Sequence, residues 1–353
     1  MHTPKRRLAA ALMAAMSLTA AAACGSSGSS TGKPSSISMV NSGGEFGTCI
    51  AETLWSQFTK DTGIEVKASG LLNDGQIQAS VKSRNYGADV VYPTPALAAD
   101  KTGEKYLEPI DFTKVKKSEL VPGSFTKYAV SQDLFSWVLG YRTDKFGGKV
   151  PKNWADFFDT TTFPGKRALP GDTDPFAVIL GALMADGVKP ADVIPIDMDR
   201  AIKRLDTIKS DIIWYQNGTQ GQQLLQSGEV TMGMEFNNRM DAIKAAGGPV
   251  ETQWNQQLLV GDLIAVPKGN PNKDAAMDLI ASITSAEVNS KQLKCAALAP
   301  SNTKAPVDAK SAKLLPTSHL QGEYLIETSP KIQNYLTEHK DEITTAFNDW
   351  RSQ

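Results

Sequence analysis

Hydrophobic and polar positions alternate in short blocks from residue 36 onward, with strand-like runs giving way to helix-like ones and back again. Residues 36–40 read as a short strand, Asn41-Ser42-Gly43-Gly44 as a turn, and 47–62 as a helix whose Ile50, Leu54, Trp55 and Phe58 recur at helical spacing. Gly63 stops that helix and residues 64–68 return as a strand, completing a βαβ unit. Residues 74–84 pattern as a helix, and 88–92 as a buried strand cut off by Pro93-Thr94-Pro95.

From Leu134 the rhythm restarts. Strands are expected over 135–141, around Ala168-Leu169, over 212–214 and over 230–234, with helices over 154–158, 175–185, 198–208 and 220–227. Two α/β units joined by extended crossings fit this better than one continuous sheet. Ligands in such sheets sit beyond the carboxyl ends of strands. That rule marks the 41–47 loop, with Gly44 and Glu45, and the 92–95 loop, with Tyr92 and Thr94, as one wall of a cleft. On the second unit Asp172 and Asp174 follow a strand, and Glu235 and Phe236 are expected just past the end of another. Plainer roles compete: Asp172 and Asp174 precede Pro175 and suit helix N-caps, and Glu235 suits a solvated strand end. Trp137, Trp154 and Trp214 lie within apolar patterns and are read as core.

The first residues break the pattern. Lys5-Arg6-Arg7 precede an uncharged, Ala-rich stretch over 8–23 that is too brief to serve as a membrane span, and Cys24 and a Gly/Ser tract follow. This is the layout of a secretory signal peptide, so residues 1–23 are expected to be removed and the protein exported. Ala21-Ala22-Ala23-Cys24 resembles a bacterial lipobox, which implies a lipidated Cys24, attachment to a membrane face, and a flexible tether over 24–36. About 330 residues then remain, more than one compact lobe usually holds. The net charge is −1, with no Lys/Arg block, which argues against nucleic acid, and three histidines leave little material for a metal site. Nothing in the pattern calls for a cofactor. With Cys24 lipidated, Cys49 and Cys295 are expected to pair in an oxidising compartment, the alternative being two buried thiols.

Four segments carry a family resemblance. Asn153-Trp154-Ala155-Asp156-Phe157-Phe158-Asp159 with Phe163-Pro164-Gly165-Lys166-Arg167-Ala168-Leu169, the strand Gly228–Met234, the return segment 261–276 and Phe347-Asn348-Asp349-Trp350 together resemble bacterial ABC-transporter solute-binding proteins of the spermidine/putrescine type. The resemblance implies an α/β, bilobal periplasmic-binding-protein fold of type II, two α/β lobes joined by hinge crossings near 130–136, 258–266 and 298–304. Lobe 1 would hold 37–133 and 262–300, and lobe 2 would hold 134–261 and 301–353. It further implies a monomeric binding protein that captures a solute between its lobes and delivers it to a permease.

For the ligand, the resemblance implies a polyamine or related amine. Asp262 aligns with an amine-binding carboxylate of that family, Asp172 and Asp174 fall where second-lobe carboxylates occur, and Phe236 stands where a Trp is usual. Val260 replaces another cage Trp, and the 41–44 turn replaces an aromatic-bearing loop, which favours a shorter amine or a ligand whose anionic end meets the Gly43-Gly44 amides. An opine, phosphonate, amino-acid derivative, iron or sugar stays open. The rival class is an exported hydrolase, which lacks support: past the leader only His319 and His339 occur, and no G-x-S-x-G elbow is present.

Overall fold

A computed structural model describes residues 33–171 and 175–353, so Cys24, Asp172 and Asp174 lie outside the described residues. β1 (Ser36–Val40) leads into α1 (Gly44–Ile50), which runs through a π-helical turn at Ala51–Trp55 into α2 (Ser56–Thr62). Ile50, Leu54, Trp55 and Phe58 are buried along one stripe of this helix, and Gly63 ends it at φ 75°, a left-handed backbone that glycine adopts without Cβ strain. β2 (Glu65–Ser69) pairs with β1 in parallel register, Ser36 opposite Glu65. A capping box at Asn73 starts α3 (Asp74–Ser83), and the short α4 (Pro95–Ala98) and α5 (Asp100–Tyr106) follow. Residues 88–92 join the neighbouring strands as isolated bridges, Met39 to Val90 and Val91 to Ala265, with Asp89 also accepting from Ser38.

The chain then crosses. β3 (Val130–Ser131) hands over at Gln132 to β4 (Asp133–Arg142), the central strand of a second sheet. After α6 (Trp154–Phe158) come β5 (Arg167–Pro170), α7 (Pro175–Ala185), α8 (Met198–Asp206), β6 (Ile212–Tyr215), α9 (Gly218–Ser227), β7 (Met232–Phe236) and α10 (Asn237–Ala245). β8 (Val250–Val260) returns beside β4, and β9 (Leu263–Ile264) pairs antiparallel with β3. α11 (Lys273–Ile283) and α12 (Ala286–Asn289) complete the first core. β10 (Ala299–Pro300) touches the start of β4, and α13 (Ala309–Ala312), β11 (Tyr324–Ile326) and the long α14 (Pro330–Ser352) close the chain. The large sheet runs β11-β8-β4-β7-β5-β6.

The apolar core is divided among four clusters, and the two largest belong to the two lobes. One gathers Met39, Leu54, Phe58 and Val90 with Ile264, Leu279 and Ile280 from the returning chain, and the other spans Trp137 through Trp350. α7 is buried from Phe176 to Ala185, the mark of a helix enclosed on all sides. Arg167, fully buried, donates to the carbonyls of Phe157, Gly165 and Phe163 at 2.8, 2.5 and 2.5 Å, so the Pro-Gly-Lys-Arg segment is a scaffold that seats β5. Cys49 and Cys295 form a disulfide with Cα atoms 5.7 Å apart.

Two boundaries differ from the sequence reading. β7 runs two residues further than its apolar run, because Glu235 and Phe236 still pair with Val138 and Trp137 of β4. At residues 301–303 the chain still bonds to the segment before the first crossing, Val121 donating to Ser301 at 2.9 Å and Thr303 to Glu119 at 2.6 Å, whereas by 314–319 it bonds to Asn237 and Gln257.

Candidate functional site

Asp133 opens β4 and Asp262 lies between β8 and β9, so each crossing strand carries one carboxylate. The amide of Gln132 donates to the carbonyl of Asp262 at 2.8 Å, which holds the two crossings side by side. Asp133 is fully buried; its Oδ2 accepts from Gln132 Nε2 at 3.2 Å, and its Oδ1 has no hydrogen-bond partner among the described residues. Asp262 is half-buried. Tyr92 reaches the same spot from the first lobe, its hydroxyl donating to Gln132 Oε1 at 3.3 Å.

Burial raises the Asp133 carboxyl well above the usual carboxylate range, and the adjacent Asp262 raises it further. Burial likewise pushes Asp262 up to about 6. The Tyr92 phenol is raised by burial, then by Asp262 and Asp133, so it stays neutral and keeps its proton to donate. No Lys or Arg forms an ion pair with either aspartate among the described residues. A low-dielectric carboxylate pair without a counter-ion favours any cation that can reach it. The crossings touch at Gly261, where a Cβ would fall 2.6 Å from both Asp133 O and Ser131 Oγ.

An aromatic wall rises from this floor. Asp133, Phe135 and Trp137 alternate onto one face of β4, and Phe236 lies over that face with ring centroids 4.8 Å from Phe135 and 3.7 Å from Trp137. Arg239, in the first turn of α10, packs against Gly218 at the start of α9, where a Cβ would collide with its guanidinium. Its side chain is about one-third exposed, with Nε 3.8 Å from Glu235 Oε1.

Glu235 does not lie past the strand end, as its place in the sequence suggested. It sits inside β7 on the face opposite Phe236, fully buried beneath Gly221 of α9, and burial pushes it up to about 8. Thr94 is occupied elsewhere: its hydroxyl bonds to Asp74 and accepts from the Leu97 amide, capping α4. Gly43 and Gly44 adopt φ 71° and 63° in an exposed turn that Asn41 braces through the Gly43 amide at 2.7 Å. Gly44 and Glu45 then open the exposed first turn of α1, whose amides lack intrahelical partners. Thr94 and Pro95 also face Phe176, Glu327 and Gln333 across a cavity of about 240 Å³, so this loop does border the interlobe space.

The structure thus joins Tyr92 to Asp262 at the floor and brings Phe236 to the adjoining wall. Gln132, Asp133 and Arg239 escaped the sequence reading. The available signal was a carboxylate in each of the two crossings; nothing in the pattern paired them, because residues 133 and 262 are brought together by long-range strand pairing, β3 with β9 and β4 with β8.

The profile of the family described as bacterial extracellular solute-binding protein matches residues 53–317. The gamma-aminobutyric acid-binding protein of Pseudomonas aeruginosa PAO1 is 28% identical over 329 residues, 89% of this chain and 90% of its own. The spermidine/putrescine-binding periplasmic protein of Escherichia coli K12 is 24% identical over 310 residues, 85% of this chain and 82% of its own. A solved GABA receptor superposes with a TM-score of 0.81 at 37% identity, covering 90% of this chain and 97% of its own.

Proposed function

The chain belongs to the bacterial extracellular solute-binding protein family, and from that premise we propose that its cleft takes a short ω-amino carboxylate of the gamma-aminobutyrate kind. As the binding component of an ABC importer it holds a small solute and passes it to a permease. The observation that carries the ligand assignment is the Asp133–Asp262 pair, one carboxylate fully buried and the other half-buried, which lacks a counter-ion among the described residues. In this reading the ligand ammonium binds Asp262, with Asp133 behind it and Tyr92 alongside. The methylenes lie along Phe236 and Phe135, and the ligand carboxylate meets Arg239. An ammonium seeks paired negative charge and its alkyl stem an apolar wall, whereas a guanidinium offers a carboxylate a planar, two-pronged partner.

Calorimetry on the 25–353 segment tests this with gamma-aminobutyrate, putrescine and propylamine as probes. The proposal expects gamma-aminobutyrate to bind most tightly and propylamine, which keeps only the ammonium end, to bind much more weakly. Putrescine binding more tightly than gamma-aminobutyrate would instead favour a diamine and leave Arg239 without its role.

The same proposal keeps Cys24 as the anchor, lipidated after removal of residues 1–23, which tethers the binding lobes to the outer face of the membrane. No helix among the described residues is long and apolar enough to cross one. Cys24→Ser is expected to move the protein from the membrane fraction to the soluble extracytoplasmic fraction. Mass spectrometry finding an unmodified Cys24 on the native protein would end that assignment.

A further inference from the structure

Glu235 is a buried carboxyl that the ligand scheme above does not use. Its Oε1 accepts from the Phe236 amide at 2.9 Å, and its Oε2 has no hydrogen-bond partner among the described residues. The side chain is sealed in by three elements. α9 presents the bare backbone of Gly221, β6 presents the ring of Tyr215, whose hydroxyl is donated to Met234 O at 2.7 Å, and α10 presents Arg239. Val138 flanks it on β4. Among the described residues Arg239 is the charged group these elements bring to it. At 3.8 Å the contact is an ion pair without a hydrogen bond, and Arg239 Nε finds no other partner among the described residues.

We propose that Glu235 is a positioning residue that competes with the ligand carboxylate for the Arg239 guanidinium, so that its protonation decides how much of that charge faces the cleft. This rests on the assignment of Arg239 to the ligand's anionic end. A protonated Glu235 leaves the guanidinium to the ligand. An ionised Glu235 draws the guanidinium inward toward its unpartnered Oε2 and adds a negative charge behind it, and both effects weaken anion capture. Burial pushes the carboxyl up to about 8 against the opposing pull of the Phe236 amide and Arg239.

The test is the affinity for gamma-aminobutyrate between pH 7 and pH 9, a window in which the ligand ammonium stays charged. The wild-type protein should lose affinity by about tenfold across that window, as expected for a competing group titrating near 8. Glu235→Gln, which keeps the shape and removes the titration, should show a flat profile. Glu235→Leu should be flat as well, and it serves if the amide variant folds poorly, with the thermal midpoint of each variant as the control. A Glu235→Gln profile that falls in parallel with the wild type, or a wild-type profile that is itself flat, overturns the competition. Arg239→Ala separates the two ideas: if it binds gamma-aminobutyrate as the wild type does, the assignment of Arg239 to the ligand has failed. If it loses binding while the pH profiles coincide, only the role of Glu235 has failed.

Discussion

Asp133 and Asp262 compete for the same scarce solvation, and each makes the other's charge costlier. A bound ammonium reverses that balance by favouring the ionised forms. Affinity for a cationic ligand is therefore expected to fall as pH drops below about 6, where Asp262 takes up its proton. By the same linkage, binding near that pH should release protons, readable as a calorimetric heat that varies with the ionisation enthalpy of the buffer. Asp262→Asn removes one partner of a desolvated pair, a change that typically costs about 2–5 kcal/mol, so binding should weaken by roughly 30-fold or more. Affinity within about threefold of the wild type would show that the ammonium lies elsewhere. For the ligand-free protein the sign is opposite. A carboxyl whose native pKa is raised binds more protons folded than unfolded, so its contribution to stability falls as pH rises above the unfolded value near 4. Asp133→Asn is thus expected to have no stability advantage over the wild type below pH 4 and a growing one toward pH 7, measured as the difference between their denaturant midpoints.

At the scale of elements, the disulfide joins the helix that begins beside the cleft turn to the segment leading into β10, across a sequence separation of 246. On the chain-entropy account, closing so long a loop restricts the unfolded chain by about 5 kcal/mol, with native strain subtracting from that figure. Replacing both cysteines by serine should lower the thermal midpoint by several degrees, and a midpoint unchanged by reductant would refute a stabilising role. The element pattern was largely legible in the chain. The stripe Ile50, Leu54, Trp55 and Phe58, the stop at Gly63 and the enclosed run 175–185 each follow from spacing and composition alone. What was not legible is long-range partnership. β7 reads as ending at Met234 because its apolar run ends there, yet β4 continues to pair with Glu235 and Phe236 and carries the carboxyl into the interior. The Trp-x-Asp and Pro-Gly-Lys-Arg motifs were visible, but the carbonyl cage around Arg167 that accounts for the latter requires coordinates.

Across the whole molecule, the floor of the site is built from the very strands that connect the lobes. In the proposed binding mode the ligand is held by Asp262 at the return crossing, by Arg239 in the second lobe and by Tyr92 from the first, so all three contacts are made together only in the closed form. A ligand that makes them shifts the population toward the closed form. Small-angle scattering should show a smaller radius of gyration with saturating gamma-aminobutyrate than without it, and identical curves would argue against closure. Gly261 gives this arrangement an unexpected sensitivity. Because the return crossing lies against the Asp133 carbonyl there, even one methyl group would force the strands to shift. Gly261→Ala should therefore keep both cores and every contact residue yet bind less tightly, since apparent affinity scales with the fraction of molecules able to adopt the binding shape. If that holds, the tightness with which this protein holds its solute is set partly by a missing side chain at the pivot, without any change to the pocket itself.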